Sequence, residues 1–295
     1  MPPLLVLANT NAGGVDDQTR DAVLAALRDG GTDVDTASIG PPEELAETLG
    51  RFPEHRPVAV GGDGSLHLLL AALHLRGELG ERVVGLVPLG TGNDMARCLG
   101  VPQDPVEAAR VVVAGRERKI DLLVDDAGEV VMNAVHLGLG AQANQEGTPL
   151  KPVLGPVAYR VGAVLAGMRS TGWSLRVVVD GRVLADGRRR VLQVGVGNGR
   201  TIGGGTPLTP DALPDDGLAD VVVSAATGPL ARLRYGRLLR EGRHGEHPAV
   251  VLARGRVVQV SGGPVPVNTD GELGEPVEQR TWTVQPGAWR IAVPW

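Results

Sequence analysis

The chain has 295 residues, enough for two domains with separate cores, and its 42% apolar content with near-zero mean hydropathy is that of a globular protein. A net charge of −5 and a pI near 5.7 argue against nucleic acid as a partner. The single cysteine, Cys98, excludes an intrachain disulfide, and no run reaches the ~20 apolar residues of a transmembrane segment. Aromatic residues make up only 2%, so the core is expected to be built from leucine, valine and alanine.

The first 120 or so residues alternate strand and helix signals. Residues 4–8 read as a buried first strand rather than a signal peptide, since no basic segment precedes them. An amphipathic helix over 17–28 ends at Gly30-Gly31. A strand over 33–39, a short helix over 43–49 behind Pro41-Pro42, and an apolar strand over 58–60 follow. Next come a helix over about 66–75, a strand over 83–87, and helices over 94–99 and 105–114, with Gly100 and Pro102 as a stop between them. This order implies an α/β domain over 1–121 with a doubly wound parallel sheet.

The pattern changes after Asp121. Short valine-rich strands are expected over 130–135, 174–179, 182–185, 190–196, 219–224, 250–253, 256–260, 265–267, 281–284 and 289–293. Asp180-Gly181 is a tight hairpin signal. Two segments, 155–168 and 229–240, look helical instead. A β domain of sandwich or barrel type is therefore expected over 122–295, with an active site in the cleft between the two domains.

Two glycine-rich turns carry the chemistry. Gly61-Gly62-Asp63-Gly64-Ser65 and Pro88-Leu89-Gly90-Thr91-Gly92-Asn93-Asp94-Met95-Ala96-Arg97 each join an apolar strand to a helix. Glycine lets the backbone approach phosphate oxygens, and the helix N-terminus favours an anion. Asp63 and Asp94 add carboxylates suited to a divalent cation beside those phosphates. Thr91 offers a hydroxyl, while Asn93 or Asp94 can also act simply as a helix cap. No Gly-x4-Gly-Lys-Ser/Thr run is present, so this is not a P-loop.

With these turns, the chain resembles the diacylglycerol kinase catalytic-domain family, which includes sphingosine kinases and bacterial lipid kinases and is distantly related to NAD kinases. Asn9-Thr10-Asn11-Ala12-Gly13-Gly14 stands at the family's first phosphate loop, and Lys119-Ile120-Asp121 at its domain junction. Asn133 through Gly140 matches the opening of its second domain. Gly197-Asn198-Gly199, Gly203-Gly204-Gly205, Pro210-Asp211-Ala212 and Asp215-Asp216-Gly217 match a long signature in order, and Asn268-Thr269-Asp270-Gly271-Glu272 its close.

The resemblance implies an ATP- and Mg2+-dependent lipid kinase with an NAD-kinase-like first domain and a sandwich-like second. It implies nucleotide contacts from Asn9, Asn11, Gly13, Gly61, Gly62, Gly64, Ser65, Gly90, Thr91, Asn93, Asp94 and Arg97. Asp63, Asp94 and Asp121 would form a carboxylate network around Mg-ATP, and Asp215 and Asp216 a structural cation site. Glu272 takes the place of the general base, with Asp63 as the alternative base.

Three departures stand out: Ser65 for a threonine, Leu68 for a glutamate, and Gly14 for a basic residue. The expected acceptor is the hydroxyl of diacylglycerol or a related lipid. The alternatives are a kinase of a soluble alcohol such as NAD or a metabolite, or a catalytically weak nucleotide- or lipid-binding regulator. The expected setting is the cytoplasm, with the lipid met at the inner membrane surface and a homodimer left open. Residues 230–240 combine Leu230, Leu233 and Leu238 with five arginines counting Arg243, which suits either an anionic membrane or a helix packed on the β domain with solvated arginines. His244 and His247 are expected in a surface loop.

Overall fold

The computed structural model describes residues 1–8, 17–139, 141 and 171–295. The loop at 9–14 and the helix expected over 155–168 lie outside the described residues. The chain divides into two units. The first is Met1–Leu122 with Pro214–Asp216 and Gln285–Trp295; the second is Leu123–Leu213 with Gly217–Val284.

The first unit runs β1 (Leu4–Ala8), α1 (Asp17–Arg28), β2 (Val34–Ser38), α2 (Pro42–Arg51), β3 (Arg56–Gly61), α3 (Asp63–Arg76), β4 (Val83–Pro88), α4 (Asp94–Cys98), α5 (Pro105–Ala114) and into β5 (Arg116–Asp125). Its strands lie in the parallel order β2-β1-β3-β4. β1 and β4 are almost wholly buried, which explains their unbroken apolar runs. Right-handed crossovers put α1 and α5 together on one face and α2 with α3 on the other. The winding direction reverses between β1 and β3, the point at which such sheets leave a crevice beyond the strand ends. Asp104 caps α5 by accepting the Glu107 N–H at 2.8 Å, with Pro105 in the first turn.

The C-terminal residues, read from sequence as part of the second domain, return to the first unit. The reading of two strands broken at Pro286-Gly287 gives way to one long strand, β16 (Val277–Val293). Gly287 takes a φ of 57° and donates its N–H to Asp121 Oδ1 at 2.7 Å, so the strand survives a proline that cannot donate. Beyond it, Arg290 and Ile291 pair in parallel with Val83 and Val84.

The second unit adds β6 (Val130–Val131), β7 (Ala134–Gly138), β8 (Leu175–Val179), β9 (Arg182–Asp186), β10 (Gln193–Gly197), β11 (Ala219–Ser224) and α6 (Pro229–Arg240). A single 3-10 turn, His244–Glu246, follows. Then come β12 (Val250–Gly255), β13 (Val257–Val265), β14 (Val267–Thr269), β15 (Glu272–Leu273) and the first part of β16. One antiparallel sheet has the order β16-β13-β8-β9 and the other β12-β11-β10-β7-β14-β15. Between them lies a valine-rich core that includes Val135, Val177, Val194, Val221, Val260 and Trp282. This is the expected sandwich-like domain. Asp180 and Gly181 both have positive φ, as the tight turn requires.

His244 and His247 are not surface residues. They are 1% and 4% exposed and stand edge-on to the buried Tyr235 ring at 6.2 and 6.4 Å. They flank the ring of Tyr235, which packs in a small core with Leu192 and Ala226. Burial lowers the His244 pKa. It pushes His136, on β7 opposite Asn268, down to about 4, with the Asn268 hydrogen bond opposing the shift.

For His136 the folded pKa lies below the unfolded value near 6.5. Its contribution is complete above the unfolded value and is lost as pH falls through 6.5 toward 4, because the unfolded chain takes up the proton first. Across that window stability should fall by on the order of 3 kcal/mol from this group. Thermal unfolding as a function of pH should show the fall, and His136→Gln should flatten it. An equally steep fall in that variant would contradict the assignment.

Candidate functional site

β3 and β4 run in parallel, and their ladder extends one step past the strands, the Leu89 N–H donating to the Gly61 carbonyl at 2.9 Å. That register brings the two glycine turns together. A Cβ added to Gly90 would stand 2.6 Å from Gly62 Cα and 2.8 Å from Asn93 Oδ1. A side chain at Gly90 would force the two backbones apart, and one at Gly62 would stand a tight 3.1 Å from Gly90 Cα. Gly61 is equally constrained, since a Cβ there would lie 2.2 Å from the Ser65 hydroxyl. Gly64, in the first turn of α3, faces open space.

The second turn is closed by Asn93, whose φ of 51° is left-handed. Its side chain accepts the Gly90 N–H at 3.1 Å and donates to the Gly90 carbonyl at 2.7 Å and to Gln103 Oε1 at 3.2 Å. Asparagine tolerates this backbone conformation better than most side chains. Asp63 then ties one turn to the other. Its Oδ2 accepts the Asp94 N–H at 2.9 Å and its Oδ1 the Met95 N–H at 3.1 Å, so a carboxylate from the start of α3 caps α4. The buried Asp94 pairs through Oδ1 with Arg97 at 2.7 Å. Gly61, Gly62, Gly64, Ser65, Gly90, Asn93, Asp94 and Arg97 thus share one end of the first unit, beside the exposed Thr91.

Among the described residues, no three histidine, cysteine, aspartate or glutamate side chains converge. The four carboxylates expected at cations make other bonds. Asp121 is buried; its Oδ1 accepts the Gly287 N–H, its N–H donates to the Pro214 carbonyl at 2.7 Å, and its carbonyl accepts Trp289 Nε1–H at 3.1 Å. It pins the returning C-terminal strand. Asp215 is paired with Arg118 at 2.7 Å, and Asp216 beside it is exposed. Leu68, where a glutamate is expected, is half-buried on α3. Asn9, Asn11 and Gly13 lie outside the described residues.

In the second unit, Glu272 is exposed on β15, and Thr269 pairs with it across the turn. The turn is held from beneath. Asp270 Oδ2 accepts the Met132 N–H at 2.8 Å, and its Oδ1 accepts those of Asn133 and Ala134, each at 3.0 Å. Those N–H groups are withdrawn from the sheet ladder, which is why the strand expected over 130–135 splits into β6 and β7. Asn268, fully buried, accepts the Gly271 N–H at 3.1 Å. Nothing in the sequence beyond the Asp-Gly pair signals this clamp.

The glycine signature at 197–199 closes around Asn133. The Asn198 and Gly199 N–H groups both donate to its carbonyl at 2.8 Å, and a Cβ on Gly199 would stand 2.0 Å from its Oδ1. Gly90→Ala tests the contact between the two turns of the first unit. It should destabilise the protein by roughly 1–3 kcal/mol in urea unfolding, because the clash is with backbone. Unchanged stability would contradict the close packing.

Comparison with known proteins agrees with both halves. A family model described as the diacylglycerol kinase catalytic domain matches residues 3–124, and one described as the YegS C-terminal NAD kinase beta sandwich-like domain matches residues 133–293. A Pseudomonas aeruginosa PAO1 protein named "Probable lipid kinase YegS-like" is 35% identical over 303 residues, covering 99% of this chain and 94% of that one. A Stenotrophomonas maltophilia protein of the same name is 33% identical over 80% of this chain and 78% of its own. A crystal structure described as a diacylglycerol kinase from Bacillus anthracis superposes with a TM-score of 0.78 over 99% of this chain and 96% of that one. At 22% identity that likeness speaks for the fold. The chain therefore belongs to the YegS-like lipid kinase family and is a phosphotransferase acting on an alcohol.

Proposed function

We propose that this kinase transfers the γ-phosphoryl group of ATP to the hydroxyl of diacylglycerol or a related lipid, with Mg2+ required. The observation that carries the nucleotide half is the pair of glycine turns locked at the N-termini of α3 and α4, with Gly64 open. Backbone N–H groups of Gly62, Gly64 and Thr91 are proposed to meet the phosphates, with Arg97 adding charge, while those of Ser65 and Gly90 hold the turns by donating to the Gly62 carbonyl and to Asn93 Oδ1. The lipid half is supported by membership of a lipid kinase family.

Mg2+ keeps several waters and takes one or two carboxylates together with substrate phosphates. Among the described residues no three metal-ligating side chains converge, and the ion is proposed to arrive on the nucleotide. Asp94 and Asp121 are the residues proposed to stand toward it, and when bound it neutralises phosphate charge. Asp94 would exchange its Arg97 partner to stand there, and Asp215, held by Arg118, and Asp216 are proposed only for a separate structural cation.

In the proposed step the lipid hydroxyl oxygen attacks the γ-phosphorus, the bond to the bridging oxygen breaks, and ADP leaves. The hydroxyl proton passes to Glu272. Both Asp63 oxygens accept backbone N–H groups, and this favours the exposed Glu272 as the base over Asp63.

Labelled ATP and a panel of lipids in mixed micelles test the reading. A phosphorylated diacylglycerol, identified by mass, is the expected product. Glu272→Gln should lower kcat by about 10²-fold or more with ATP affinity nearly unchanged, and should flatten the acidic limb of the pH–rate profile. NADP formed from NAD with no lipid product, or ATP bound without turnover on any lipid, would contradict the proposal.

A further inference from the structure

The helix α6 presents a surface that the phosphotransfer chemistry does not use. Its inner side, Ala231, Tyr235 and Leu239, packs on the small core with Leu192 and Ala226. The outer side carries Leu230, Leu233, Arg234, Arg237 and Arg240, all exposed, at the spacing that lines one helix face. Leu230 is 82% exposed and Leu233 74%, whereas Leu238, grouped with them from the sequence, is half-buried and off this face.

Charge is concentrated here against the trend of the molecule. The chain carries a net charge of −5, yet 229–240 contains four arginines and no acid, and Arg243 follows. Glu241 and Glu246 lie just beyond, at 3.1 Å from Arg237 and 2.8 Å from Arg243. A cavity of about 520 Å³ adjoins the start of the helix, since Thr227, two residues before Pro229, helps to line it. Arg189 and Arg190 line it too, and Arg190 is fixed by the Gly172 carbonyl at 2.6 Å.

We infer that the outer face of α6 is a docking surface for an anionic membrane. Leu230 and Leu233 would enter the interface, the arginines would face lipid phosphates, and the Arg189–Arg190 cavity would receive a headgroup. Leucine beside arginine on one face of a surface helix is the pattern that binds by combined burial and charge. An acidic protein would satisfy the arginines but gives no reason for two isolated leucines projecting among them. The inference rests on the lipid-kinase reading for its purpose but not for its test.

Sedimentation with phosphatidylcholine vesicles, with and without phosphatidylglycerol, reads the docking directly. The protein should bind only the anionic vesicles, and salt should weaken the binding as it screens the arginines. Arg234→Gln with Arg237→Gln should reduce partitioning by roughly tenfold or more, and Leu230→Ser with Leu233→Ser should reduce it also. Circular dichroism should show both variants folded, since these side chains are exposed. Equal binding to neutral vesicles, binding that persists in both variants, or salt-sensitive self-association without vesicle binding would overturn the inference. Lipid phosphorylation in detergent micelles, measured on the same proteins, should be unchanged. If the vesicle results hold but no lipid is phosphorylated in micelles, the kinase reading fails and the docking surface stands.

Discussion

The arrangement of the first unit depends on the Asp63 carboxylate. Two strand-to-helix turns rich in glycine have little to hold them, because glycine adds no packing and loses much freedom on folding. Asp63 solves this by accepting two consecutive N–H groups from α4, a helix of five residues too short to be stable alone. The backbone contact between Gly62 and Gly90 and the Asn93 ring around Gly90 then follow as one rigid piece. Glycine is required there because two backbones touch.

The second unit repeats the device. Asp270 collects three backbone N–H groups ahead of β7, and its own left-handed turn delivers Glu272 to an exposed position. Asp121 does the same on a smaller scale by receiving Gly287 and so returning the chain end to the first sheet. In each case a short carboxylate replaces ladder bonds where the chain must leave regular structure, and an unpaired buried N–H is costly enough to make the exchange favourable. Catalytic families and structural devices thus draw on the same aspartates, and a motif match alone does not separate the two uses.

Much of the fold was legible because its signals are local. The limits of α1 and α5 and the strands β1 and β11 follow from apolar spacing, proline and glycine. The misreadings share a physical cause, namely dependence on distant partners. Pro286-Gly287 looks like a strand break until Asp121 supplies an acceptor for the Gly287 N–H. His244 and His247 look exposed in a polar stretch until Tyr235 arrives beside them. Leu230, Leu233 and Leu238 look like one face until the burial of Tyr235 fixes the helix rotation. At the site, the glycine turns and Asn93 were readable as motifs, while the Asp63 and Asp270 clamps reach across 31 and 138 residues and leave no local mark.

The central claim is that Asp63 builds the end of the first unit proposed to bind nucleotide and leaves proton transfer to another group. Asp63→Asn, followed by ATP titration and a pH–rate profile, tests it most directly. Asparagine keeps one acceptor oxygen and turns an NH2 group toward the second N–H, so the α4 cap is half lost. The account predicts that ATP affinity and turnover fall together while the acidic limb of the profile remains. Intact ATP affinity with that limb abolished would make Asp63 the base and contradict the account.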